Sequence, residues 1–146
     1  MKIIIDEKKK EKKENALDTG IIVEAEKKYD IKIKKGIVDF WKENSGGIPI
    51  KSYIMIDKHE YEVRRFLSLN KEDNYYGLEK PLDFFLSQTK GKIVPIGVDS
   101  GDNYYCVNNE TGKVYYWRAS VDEYYCVAKN INEFSACFVS STKVSK

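Results

Sequence analysis

Residues 93–118 constrain the fold more than any other part of this sequence. The segment Ile93–Val98 is apolar at successive positions, which is typical of a central strand that is buried on both faces. A polar turn follows at residues 99–102. Strands are then predicted at 103–107 and 113–118, joined by a short loop that contains glycine. This stretch therefore predicts three consecutive antiparallel strands that end in a hairpin.

Helical periodicity flanks these strands. Four helices are predicted from apolar residues spaced three and four apart: Ile22, Ala25 and Tyr29; Ile37, Phe40 and Trp41; Leu82, Phe85 and Leu86; and Ile131, Phe134 and Phe138. The second helix ends at Gly46-Gly47 and the third at Lys90-Gly91, while Asn130 is the predicted N-cap of the fourth. Residues 50–56 and 61–69 are predicted strands of a hairpin linked through residues 57–60, and residues 70–77 form an exposed loop.

The element order predicts an α+β fold. We expect a single domain in which a mixed, largely antiparallel sheet packs against helices. The domain is predicted to span residues 21–146, with residues 140–146 fraying. Residues 1–20 form a charged N-terminal arm in which lysines alternate with acidic residues.

The charge balance argues against nucleic acid as a direct partner. The chain has 25 basic and 23 acidic residues, a formal net charge of +2, which provides no global field for a phosphate backbone. No apolar run reaches the length of about 7–15 residues for a signal peptide or about 20 for a membrane span. The predicted location is therefore the cytoplasm, without membrane contact. The three cysteines stand in apolar contexts and are predicted to be reduced and buried.

Residues for catalysis are scarce. The one histidine, His59, lies in the predicted hairpin turn, and a catalytic arrangement around it is left as an alternative. The cysteines are too widely spaced for a zinc clip, and residues 99–103 lack the ligand pattern of a calcium loop. No glycine-rich phosphate loop is present. We expect no enzymatic activity, no metal and no cofactor.

Tyrosine is the unusual component. Of 11 tyrosines, eight form adjacent pairs, at 75–76, 104–105, 115–116 and 124–125. Neighbours on a strand point to opposite faces, so helices on one face would leave an aromatic surface on the other, bordered by acidic loops. The candidate partner-binding residues are Tyr75, Tyr76, Asp99, Asp102, Tyr105, Tyr115, Asp122, Glu123 and Tyr124. From composition alone, packing within a half-exposed sheet is favoured over a binding face by roughly two to one. RNA binding through tyrosine stacking is a further alternative, which the charge balance opposes.

The order of motifs resembles the SUKH superfamily. The segments that carry the resemblance are Glu24-x-x-Lys27-Lys28-Tyr29, Phe40-Trp41, Asn44-Ser45-Gly46-Gly47-Ile48-Pro49, residues 81–86, 93–105 and 112–117, and Ile131-Asn132-Glu133-Phe134. The resemblance covers residues 21–138 in colinear order. Ile33-Lys34 stands where members have a leucine-proline pair, and Ser45 interrupts the Asn-Gly-Gly motif.

The resemblance implies an α+β sandwich without catalytic residues. Its bacterial members are largely immunity proteins that bind the catalytic domain of a polymorphic toxin, frequently a nuclease. The expected partner is therefore a cognate toxin protein, and an acidic, aromatic surface would suit a basic nuclease site. A regulatory or scaffold module, as in the yeast cell-wall branch of the family, is the alternative.

Overall fold

The computed structural model describes residues 17–139. Within that range four helices and eight strands occur in the order α1 (Gly20–Tyr29), α2 (Lys35–Asn44), β1 (Tyr53–Ile56), β2 (His59–Glu62), β3 (Arg65–Phe66), α3 (Glu79–Thr89), β4 (Ile93–Val98), β5 (Tyr104–Asn108), β6 (Val114–Arg118), β7 (Glu123–Ala128), α4 (Ile131–Ala136) and β8 (Phe138–Val139). The predicted α+β class is confirmed. Residues 1–16 of the predicted arm and the predicted tail at 140–146 lie outside the described residues.

The strands form two sheets. The larger has the order β3-β4-β5-β6-β7, and the smaller has the order β2-β1-β8. All strand pairs between residues 17 and 139 are antiparallel. Outside these strands, an isolated bridge between Ser68 and Gly77 is parallel. The largely antiparallel arrangement is as predicted. The prediction had one sheet, whereas the structure divides the strands between two.

Three strand assignments differ from the sequence prediction. Residues 61–69 are divided between the two sheets, because the Val63 N–H donates to Ser52 and the Arg64 N–H donates to Val98 of the larger sheet. β7 was not predicted, since its sequence does not alternate regularly between apolar and polar residues. Phe138 does not continue the last helix. It pairs with Ile54 in the smaller sheet instead.

Helix and turn boundaries follow the predicted chemistry. Gly46 adopts a φ of 64°, the left-handed conformation that favours glycine, directly after α2. The Asn130 side chain accepts the Glu133 N–H at 2.8 Å, which confirms the N-cap of α4. The hairpin turn between β1 and β2 is shorter than predicted. It consists of Asp57 and Lys58, both with positive φ, as a two-residue type I′ turn requires.

The main core lies on one side of the larger sheet, which we call the inner face. Val94, Tyr105 and Val107 of this face belong to the same buried cluster as residues of α2 and α4. Trp41 of α2 donates its indole N–H to the Pro95 carbonyl of β4 at 2.9 Å. On the opposite side, the outer face, a smaller buried cluster joins Phe85 of α3 to Ile93, Cys106 and Trp117.

Asn109 connects the two halves of the chain. It is buried at the β5–β6 loop, where its Oδ1 accepts the Lys34 N–H and its Nδ2 donates to the Lys32 carbonyl, both at 2.9 Å. Replacing Asn109 with alanine leaves both backbone groups unpaired and should lower the free energy of unfolding by about 1–3 kcal/mol. Urea denaturation measures the loss. Asn132→Ala, on the exposed side of α4, is the control and should change stability by less than about 0.5 kcal/mol.

Candidate protein-binding surface

A row of paired residues crosses the outer face of the larger sheet. Arg65, Val98, Tyr104, Trp117 and Tyr124 are successive register partners from β3 to β7. Register partners project from the same side of a sheet, so the three aromatic rings lie next to one another. The ring centroids of Tyr104 and Trp117 are 6.3 Å apart.

Helix α3 supports this row and extends it. Phe85 is fully buried, and its ring centroid lies 5.0 Å from that of Trp117 and 5.5 Å from that of Tyr104. Phe84 lies 5.7 Å from Trp117 but is 44% exposed. Tyr115 lies two residues before Trp117 on β6. Its ring packs edge-on against that of Tyr124, with the centroids 6.1 Å apart. We call the partly exposed rings Phe84, Tyr104, Tyr115 and Tyr124, with Trp117 beneath them, the outer aromatic surface.

Two exposed carboxylates border this surface. Asp122 accepts a hydrogen bond from the Trp117 indole N–H at 2.7 Å. Asp102 lies close enough to Tyr104 for its charge to contribute to the raised pKa of that phenol, although burial is the larger cause. The pKa of Tyr124 is also raised, mainly by burial, with smaller contributions from Cys106 and Asp122. Both phenols are therefore neutral at neutral pH, and the two aspartates supply the charge at this border.

The turns that carry these aspartates lie at the same end of the sheet. Because the strands are antiparallel, the β4–β5 turn and the β6–β7 turn are neighbours, and the Ala119 N–H donates to Asn103 Oδ1 at 2.9 Å. Val121 in the second turn is 50% exposed. We call this region, residues 99–103 and 119–122, the turn end. It places an exposed apolar side chain beside the aspartates and the outer aromatic surface.

The structure brings together four of the predicted contact residues. Tyr115 and Tyr124 lie on the outer aromatic surface, and Asp102 and Asp122 border it. Tyr75 is 89% exposed. It lines a shallow groove with Tyr104 that joins the loop at residues 70–77 to the same surface.

The remaining predicted residues do not belong to this surface. Tyr105 is fully buried on the inner face, where its hydroxyl donates to the Glu62 carbonyl at 2.5 Å, so Tyr104 is the partly exposed member of the pair. Tyr76 is half-buried, and its ring lies 4.6 Å from the Arg65 guanidinium. Glu123 projects from the inner side, as the register partner of Arg118.

Asp99 holds the β4–β5 turn together. Its Oδ1 accepts the backbone N–H groups of Gly101 and Asn103 at 2.9 Å, and its Oδ2 accepts the Tyr116 hydroxyl at 2.5 Å. With these donors in place, the carboxylate is occupied within the fold. We therefore assign Asp99 a structural role and leave it out of the surface.

Residues 16–136 match the SMI1 / KNR4 family (SUKH-1). The chain belongs to this family. A crystal structure of a protein from Pseudomonas syringae pv. tomato has a similar fold, with a TM-score of 0.50 and 18% sequence identity, over 83% of this chain and 80% of that one. No curated protein matches the chain. The SUKH resemblance read from the sequence is thus confirmed.

The SUKH-1 match includes the whole outer aromatic surface and the turn end. Sequence reasoning missed Phe84, Tyr104 and Trp117 as members of this surface. Phe84 carried a usable signal, because it stands off the buried stripe of Leu82, Phe85 and Leu86 and must therefore face another direction. Nothing in the sequence indicated which of Tyr104 and Tyr105 faces the core, since both are tyrosines.

The side chains with reactive potential are dispersed in this SUKH-1 chain. His59 is exposed at the start of β2. Between residues 17 and 139 no group of three or more His, Cys, Asp or Glu side chains is placed to hold a metal ion. All three cysteines are free, and Cys106 is buried as predicted. The other two were wrongly predicted to be buried: Cys126 is exposed because it faces outward on the edge strand β7, and Cys137 is half-buried. No helix in the described range has the length and apolarity to cross a membrane.

Proposed function

We propose that this SUKH-1 chain is an immunity protein that neutralises a cognate polymorphic toxin by binding it directly in the cytoplasm. Membership of the family is consistent with that role. The observation that carries the proposal is the outer aromatic surface, where four partly exposed rings surround Trp117 and helix α3 covers one part of the sheet face. We assign binding to the domain at residues 21–146, which follows the charged arm at 1–20.

The rings of this surface have the properties of an interface centre. Tyrosine and tryptophan bury a large area on binding and lose few rotamers, which is why they dominate interface hot spots. Tyr104, Tyr115 and Tyr124 are held by edge-on contacts with neighbouring rings, so they are ordered before a partner arrives. Preordered side chains bind more tightly, because less conformational entropy is lost in the complex.

The border of the surface favours a basic partner. Asp102 and Asp122 are exposed, and a nuclease active site carries positive charge to hold phosphate. A basic toxin surface would be attracted to these carboxylates and would dock its apolar groups on the rings. Binding of this kind blocks the toxin's active site sterically, and it requires no catalytic residue in the immunity protein.

Charge reversal tests the acidic border. The double variant Asp102→Lys/Asp122→Lys should weaken toxin binding by about tenfold or more, because attraction is replaced by repulsion at the rim. The affinity of the wild-type chain should fall as salt is added, whereas that of the variant should be unchanged or rise, because salt screens the repulsion. Calorimetry at low and moderate salt, with toxin domains encoded beside this chain's gene, provides the measurement.

Glu110→Lys is the matched control for this experiment. Glu110 is equally exposed but lies in the β5–β6 loop, at the other end of the sheet from the turn end. We expect its reversal to change affinity by less than about threefold. Equal losses in the control and in the double variant would show a general charge effect and would contradict the acidic border as the contact.

A further inference from the structure

A second concave site lies on the inner side of the turn end. It is a pocket of about 390 Å³ between β2 of the smaller sheet and strands β6 and β7 of the larger one. Its lining consists of Tyr61, Asn103, Tyr116, Arg118 and Tyr125. Three of these five residues are tyrosines and one is a cation, so the pocket differs in character from the acidic border on the outer side.

Three of the five lining residues have their polar groups engaged within the fold. The Tyr116 hydroxyl and the Asn103 Nδ2 both donate to Asp99. The Tyr125 hydroxyl donates to Glu123 Oε2 at 3.3 Å. Arg118 forms no salt bridge with any residue between 17 and 139, although Glu123 is its register partner.

The pocket therefore presents an unpaired guanidinium among aromatic rings. A guanidinium offers five N–H donors in a planar fork that matches the two oxygens of a carboxylate. The rings of Tyr61 and Tyr116 pack edge-on at 5.3 Å and form an apolar wall beside it. An apolar wall strengthens an ion pair by excluding water from one side of it. Arg118 is thus the group of this lining that can bind an anion of side-chain size, although the carboxylates of Asp99 and Glu123 also contact lining residues.

We propose that this pocket receives one aspartate or glutamate side chain of the toxin and that Arg118 binds its carboxylate. This inference rests on the proposed function, because the toxin is the partner that supplies the acid. A toxin that docks on the turn end contacts both sides of the sheet, with basic groups near Asp102 and Asp122 and one acid in the pocket. Opposite charges on the two sides set the orientation of the complex.

Two substitutions test the pocket: one removes a positive charge from it, and the other removes a negative charge next to it. Arg118→Gln should weaken binding of the toxin domain by about tenfold or more, since a buried carboxylate loses its partner. Glu123→Gln removes the acid next to Arg118, so affinity should stay unchanged or rise. Both positions are exposed, and thermal denaturation of the two variants checks that each remains folded. The readout is the dissociation constant for toxin domains encoded beside this chain's gene.

A charge swap identifies the acid. Arg118→Glu should abolish protection in cells, and one Asp→Arg or Glu→Arg substitution in the toxin should restore it. If the wild-type chain binds a toxin and Arg118→Gln binds within about twofold of it, the pocket assignment is wrong and the proposed function stands. If the wild-type chain binds none of the toxins, the proposed function is wrong, and so is the assignment of a toxin carboxylate to this pocket.

Discussion

Replacing Trp41 with alanine is expected to lower the free energy of unfolding by about 3–5 kcal/mol. Trp41 is 1% exposed in the main core. Its indole N–H donates to the Pro95 carbonyl, where the register between β4 and β5 shifts. Alanine therefore leaves a large cavity and also removes the donor from a carbonyl at an irregular point of the sheet. Chemical denaturation followed by circular dichroism measures the loss.

Trp41→Phe separates the two contributions. Phenylalanine retains most of the buried ring but cannot donate to Pro95, so a loss of about 1–3 kcal/mol is expected for the missing hydrogen bond and the smaller volume. If the alanine variant lost less than about 1 kcal/mol, Trp41 would not be what anchors α2 to the sheet. If the two variants lost equal amounts, the ring that phenylalanine retains would contribute nothing, and the loss would come from the hydrogen bond and the volume that both variants lack.

The double variant Tyr115→Ala/Tyr124→Ala is expected to weaken toxin binding by about 100-fold or more, which corresponds to about 3 kcal/mol. The two half-buried rings contact each other edge-on and form the β6–β7 part of the outer aromatic surface, so both contact area and its order are lost. Surface plasmon resonance should show the effect mainly as faster dissociation.

Tyr53→Ala is the control for this variant. Tyr53 is also a half-buried tyrosine on a strand, but it lies in the smaller sheet as the register partner of Glu62 and Val139. Its removal should leave the affinity within about threefold of the wild-type value. A double variant that retains wild-type affinity would mean that the toxin binds elsewhere and that these tyrosines serve packing alone.

Several elements could be predicted from the sequence because local chemistry specifies them. The continuous apolar run of β4 demanded burial on both faces, and all six of its residues are buried. The stop of α3 at Lys90-Gly91 and the cap at Asn130 depend on backbone conformations and hydrogen bonds within a few residues. Such features need no knowledge of the rest of the fold.

The candidate site was only partly predictable, because its membership depends on contacts distant in sequence. Whether Tyr104 or Tyr105 enters the core is set by pairing with β4 and β6, which positions Tyr105 against Phe134 of α4. Asp99 looked like a surface acid, yet Tyr116, 17 residues away, occupies its carboxylate. Arg118 gave no signal, since its pocket forms only when the two sheets meet.

The most direct test of the proposed immunity function is the growth of bacterial cells that produce a toxin domain encoded beside this chain's gene. Co-expression of the wild-type chain should restore growth, and co-expression of Tyr115→Ala/Tyr124→Ala at equal protein levels should not. The proposed immunity function is contradicted if the wild-type chain protects against none of the neighbouring toxins, which would favour a regulatory or scaffold module. If the double variant protects as well as the wild type, the outer aromatic surface is not where the toxin binds.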